Sequence, residues 1–72
     1  MSVRHIAVLA QYHEDFIKHV TNDPKPARLF VHVKNPVDVE GKEFRRIVLL
    51  PGYDQVKDAQ HLINLATLRL VE

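Results

Sequence analysis

Phe44-Arg45-Arg46-Ile47-Val48-Leu49-Leu50-Pro51-Gly52-Tyr53-Asp54 reads as a buried strand running into a helix start. The apolar centre, residues 47–50, does not alternate between polar and apolar. A strand of that kind is expected to be covered on both faces, as the central strands of parallel sheets are. Pro51 has no backbone N–H to offer a ladder and Gly52 permits a sharp reversal. The chain is therefore expected to leave the sheet there, with Asp54 capping the helix that follows.

Upstream, residues 4–10 carry a second continuous apolar run (Ile6, Ala7, Val8, Leu9, Ala10), again a strand expected to be covered on both faces. Over residues 12–21 the period changes. Tyr12, Phe16 and Val20 recur every four residues with Ile17 beside them, one apolar stripe at helical spacing. Glu14 and Asp15 in the first turn and Lys18 and His19 in the last suit the helix dipole. Two prolines in residues 22–27 mark a loop. Residues 29–33, β-branched and aromatic apart from His32, predict the second strand. Asn35 then suits a cap, Pro36 a first helical position and Gly41 a left-handed stop, which predicts a single helical turn over residues 36–40. A competing reading extends the strand through Val37 and Val39 and makes residues 40–42 a hairpin turn.

Downstream, residues 54–65 predict the second helix, with Val56, Ala59 and Ile63 on one stripe that Leu62 and Ala66 widen toward the sheet. Residues 67–72 alternate at Leu68, Arg69 and Leu70. They read either as a frayed helix end or, the preferred reading, as a short fourth edge strand.

Two folds accommodate this order. One is α/β: a small, mostly parallel sheet of three to four strands in the order 2-1-3, with two helices on opposite faces. The other is α+β, a ferredoxin-like βαββαβ arrangement in which strands two and three form an antiparallel hairpin and both helices cover one face. A sheet covered on one face alternates in sequence, whereas strands one and three are apolar throughout, so the parallel sheet is preferred.

The 72 residues make one small α/β domain spanning 1–72, close to the lower size limit for folding alone. There is no cysteine, hence neither a disulfide framework nor a thiolate zinc site to support so small a core. Self-association is the remaining means. Ten basic and nine acidic residues give a formal net charge of +1, with no strong field selecting nucleic acid or a membrane surface. The apolar run of residues 6–10 is too short for a signal-peptide core or a membrane span, so a cytoplasmic protein without a membrane partner is expected.

Residues 33–53, above all Val39-Glu-Gly-Lys-Glu-Phe44 followed by Ile47-Val-Leu-Leu50, resemble the turn and strand that carry a Gly-x-Glu-Phe-type motif in the second motor domain of superfamily I helicases. No Gly-x-x-x-x-Gly-Lys-Ser/Thr phosphate loop accompanies them, so the likeness carries no ATPase activity. Most of the chain also resembles small uncharacterised α/β proteins of bacteriophages, which share the strand, helix, strand, short Pro-x-Asp-x-x-Gly turn and strong apolar strand. That likeness implies a phage-encoded accessory protein in the host cytoplasm.

Ligands of open parallel sheets bind beyond the carboxyl ends of the strands, where the strand order reverses. Those ends are Gln11, Tyr12 and His13 after strand one, Asn35 after strand two, and Gly52, Tyr53 and Asp54 after strand three. Together they form the candidate ligand site, with Gly52 presenting backbone N–H groups to an anion. The plainer reading makes Asp54 a cap, His13 an exposed first-turn residue and the tyrosines packing. Histidines 5, 13, 19, 32 and 61 show no i, i+4 pair, so no metal site is assigned and no cofactor is expected. Ser2 is the sole serine and lies at the terminus, which leaves no candidate catalytic nucleophile. Lys42, Arg45 and Arg46 form a candidate nucleic-acid contact, although Asp38, Glu40 and Glu43 are interleaved with them.

These features rank three functions. The first is a non-enzymatic protein-interaction module, binding a host or viral protein or assembling as a homodimer. Next come a nucleic-acid-binding module using Lys42, Arg45 and Arg46, and a small-ligand or nucleotide-binding domain at the strand ends.

Overall fold

A computed structural model describes residues 3–71. Ser2 and Glu72, which entered the readings of the nucleophile and the tail, lie outside the described residues. The chain runs through strand β1 (Arg4–Leu9), helix α1 (His13–Thr21), strand β2 (Phe30–His32), strand β3 (Glu43–Leu49) and helix α2 (Ala59–Leu68). Short 3₁₀ turns occur at Ala27–Leu29, Pro36–Val39 and Tyr53–Gln55. The strands form one parallel sheet in the order β2-β1-β3. Strands β2 and β3 do not pair, which excludes the ferredoxin-like alternative.

The run of apolar residues in β1 sorts into two layers. Ile6, Val8 and Ala10 join Phe30, Phe16, Val20, Val48 and Leu50 on the α1 side. Ala7 and Leu9 join Val33, Val39, Phe44, Tyr53, Ala59, Leu62 and Ala66 on the α2 side. Every residue from Ile6 to Ala10 is fully buried, since β1 has a strand on each edge and a layer on each face.

The second apolar run is covered on both faces, Ile47 packing on the α2-side core and Val48 on the α1-side core, but less completely than β1. β3 is an edge strand: Ile47 and Val48 are half-buried and Leu49 is 60% exposed. Its register slips by one residue between the pairs His5–Phe44 and Ile6–Arg46, so Arg45 forms a bulge. The bulge changes the parity of the strand. Phe44 and Ile47, three residues apart, both contribute to the α2-side core, while Arg46 lies beside Ile6 on the α1 side.

Asn35, Pro36 and Gly41 act as the sequence predicts. The turn Pro36–Val39 starts from extended Asn35 and Gly41 takes φ +70°. Asp38 holds the entrance, its Oδ2 accepting the N–H groups of Lys34 at 2.9 Å and Asn35 at 2.8 Å. The second helix, in contrast, begins at Ala59 rather than residue 54, and Asp54 does not cap it. The cause is Tyr53, which is 1% exposed and packs in the α2-side core. Burying that ring draws residues 53–55 into a separate 3₁₀ turn before the helix can start. Asp58 precedes α2 with φ +60°, a left-handed conformation that aspartate tolerates better than most residues. The helix also runs past residue 65 to Leu68. The expected fourth strand is a single parallel bridge from Leu70 to Phe44, with Phe44 N–H donating to the Arg69 carbonyl and Val71 N–H to the Phe44 carbonyl, both at 2.8 Å.

Candidate functional site

The segments that follow all three strands meet at the carboxyl end of the sheet. They enclose a cleft of about 570 Å³ lined by Gln11 and Tyr12 after β1, by Lys34, Asn35 and Pro36 after β2, and by Gln55, Val56, Lys57 and Asp58 after β3. Leu62 of α2 forms its apolar floor. Three of the candidate ligand residues, Gln11, Tyr12 and Asn35, therefore come together.

The other four sit elsewhere. Tyr53 is a core residue whose Oη donates to the Val33 carbonyl at 2.7 Å. Burial, reinforced by the Asp38 carboxylate, pushes its hydroxyl up to about 12. Gly52, at φ +91°, shapes the reversal after β3 and lies against Gln11, where an added Cβ would stand 2.5 Å from Oε1. It does not open an α-helix, so it presents no helix N-terminus to an anion. Asp54 accepts a 3.1 Å hydrogen bond from Gln55 Nε2 at the exposed 3₁₀ turn. His13 opens α1 and turns to His32, outside the cleft lining.

Lys34, Gln55, Lys57 and Asp58 are cleft residues that the sequence reading passed over. Lys34 Nζ donates to the Gln11 carbonyl at 2.8 Å, joining the segments after β1 and β2 and placing its charge at the cleft. Two lysines against one aspartate leave the lining positive on balance. The arrangement offers amide donors and acceptors from Gln11, Asn35 and Gln55, two cations and a tyrosine ring, the equipment for holding a small polar anion. Lys34 follows β2 directly and lies in the sequence neighbourhood the strand-end rule selects. Lys57 and Asp58 fall within the stretch read as helix.

The basic cluster is partly neutralised. Arg46 reaches Asp23 beyond α1 at 3.2 Å, and Arg45 is exposed in the bulge. The backbone N–H of Lys25, with help from Arg46, holds the Asp23 carboxyl below its ordinary range.

His13 and His32 also meet, 19 residues apart in sequence, with Nδ1 atoms 3.4 Å apart. Phe16 stacks against both rings. Among the described residues, no helix is long and apolar enough to cross a membrane. Comparison with family models, curated proteins and solved structures finds no match for the chain.

Proposed function

We propose that the protein is a non-enzymatic binding module whose working surface is the cleft at the carboxyl ends of its strands, and that it takes a small polar ligand bearing negative charge. The observation that supports this is the convergence of Lys34 and Lys57 with the amides of Gln11, Asn35 and Gln55, contributed by segments after all three strands. A parallel sheet whose order reverses at β1 opens its crevice at this end. Thermal shift with nucleotides, inorganic phosphate and dicarboxylates tests the reading. A ligand that binds should raise the melting temperature as its concentration passes its dissociation constant. Lys57→Ala should weaken that response without changing the unliganded melting temperature, because Lys57 is exposed. No shift with any of these anions at millimolar concentration overturns it.

A second reading, self-association as a homodimer, is favoured by a different observation. Beyond the Leu70 bridge at Phe44, the outer edge of β3 has no strand beside it among the described residues, and Leu49 there is 60% exposed. An open edge is a template for pairing with a second copy. The likeness to bacteriophage proteins extends this reading to an accessory role toward a host or viral protein in the cytoplasm. Sedimentation of the full chain and of Leu49→Lys decides it. A dimer lost in the variant supports self-pairing, and a monomer at all concentrations sinks it.

A further inference from the structure

The fold brings together two imidazoles that the sequence keeps apart. His32 lies on β2 beside Val8, and its Nε2 is 2.9 Å from the carbonyl oxygen of Ala10. That oxygen can only accept, so Nε2 carries the proton and Nδ1 keeps its lone pair. That lone pair accepts from His13 Nδ1–H at 3.4 Å, and a metal ion replacing this proton would require His13 to carry its proton on Nε2 instead. His13 is held to this side by α1, where Phe16 one turn on stacks on both imidazoles at centroid distances of 5.6 and 5.0 Å. Neither residue lines the cleft assigned above.

We propose that His13 and His32 form a two-imidazole site for a borderline divalent cation, with zinc the best fit. Two Zn–N bonds of about 2.1 Å at a tetrahedral angle set their nitrogens roughly 3.4 Å apart. The Nδ1 atoms already have this separation. The bond from His32 Nε2 to the Ala10 carbonyl is the outer contact that orients metal-binding histidines and selects the ligating nitrogen. Imidazole donors favour zinc, copper and nickel over magnesium or calcium. The rings, with centroids 5.6 Å apart, face each other nearly head-on. Closing the ligand angle thus needs a tilt of one ring, and His13 is the exposed partner that supplies it while His32 stays anchored. Among the described residues no third histidine or carboxylate joins the pair, so water completes the coordination and binding is weaker than at a four-ligand structural site.

Titration of Zn²⁺ into the full chain, followed by calorimetry and by the histidine ring resonances in NMR, tests the site. One equivalent should bind, with the His13 and His32 signals shifting together. His13→Ala, a change at an exposed position that leaves the core intact, should weaken binding at least about tenfold. His61→Ala, at an exposed position on α2, should leave it unchanged. Absence of saturable binding, an unaltered affinity in His13→Ala, or a loss that follows His61 instead overturns the assignment.

Discussion

Tyr53 Oη donates a 2.7 Å hydrogen bond to the carbonyl oxygen of Val33, joining the turn after β3 to the residue that follows β2 although β1 lies between those strands. Both residues are buried, so neither group has water as a substitute. Removing the hydroxyl in Tyr53→Phe keeps the ring in place and leaves the carbonyl unpaired. The expected loss is about 1 kcal/mol of unfolding free energy, read from urea denaturation at neutral pH.

The same residue predicts an alkaline limit. Its folded pKa, about 12, exceeds the ordinary value of 10.0, because ionisation would bury a phenolate near Asp38. Its contribution to stability is therefore complete below pH 10 and is lost as pH rises toward 12. The stability difference between the native chain and Tyr53→Phe should shrink over that interval. A difference that stays constant from pH 9 to 12 contradicts the assigned shift.

Leu9 and Leu49 are register partners on adjacent strands, yet one is fully buried and the other 60% exposed. Leu9→Ala should cost about 2–5 kcal/mol, the range for a cavity in a core that relaxes incompletely. Leu49→Ala should fall within about 0.5 kcal/mol of the native chain under conditions where it is monomeric. Comparable losses at the two positions would mean that the outer edge of β3 is covered in solution.

Asp23 connects the loop after α1 to β3 through the Lys25 N–H and the Arg46 guanidinium. Its pKa is depressed below the ordinary 3.8, so its contribution is present above that value and is lost as pH falls through the folded pKa. Acid titrations should show Asp23→Asn flattening the fall in stability below pH 4. Arg46→Ala should flatten it less, because the backbone hydrogen bond is the larger cause.

Gly52 combines φ +91° with an approach to Gln11 that an added Cβ would violate. Gly52→Ala should destabilise by roughly 1–2 kcal/mol from the left-handed backbone alone. It should also displace Gln11 and so weaken anion binding in the cleft. Retained binding with reduced stability would separate the turn from the cleft.

The architecture was legible in local pattern. Two uninterrupted apolar runs at Ile6–Ala10 and Ile47–Leu50 mark strands of a parallel sheet, and Asn35, Pro36 and Gly41 announce their turn through dihedral preferences that need no distant partner. Phe16 and Val20 of the first helical stripe and Ala59, Leu62, Ile63 and Ala66 of the second pack as their spacing implied, whereas Tyr12 and Ile17 are exposed and Val56 precedes α2. The convergence of Gln11, Tyr12 and Asn35 was implied by the strand order. What periodicity could not settle were competitions between distant groups. The order 2-1-3 followed from the preference for a parallel sheet, but only the tertiary structure shows how far the edge position of β3 leaves Leu49 exposed, because burial at an edge is set by pairing and not by a strand's own composition. Only the bulge at Arg45 puts Phe44 and Ile47 on one face, and only burial of the Tyr53 ring moves the start of α2 to Ala59. The meeting of His13 with His32, like that of Lys34 with Lys57, joins residues about twenty apart in sequence. Spacing along the chain carries no record of such pairs, because the sheet register and the crossing of α1 over β2 bring them together.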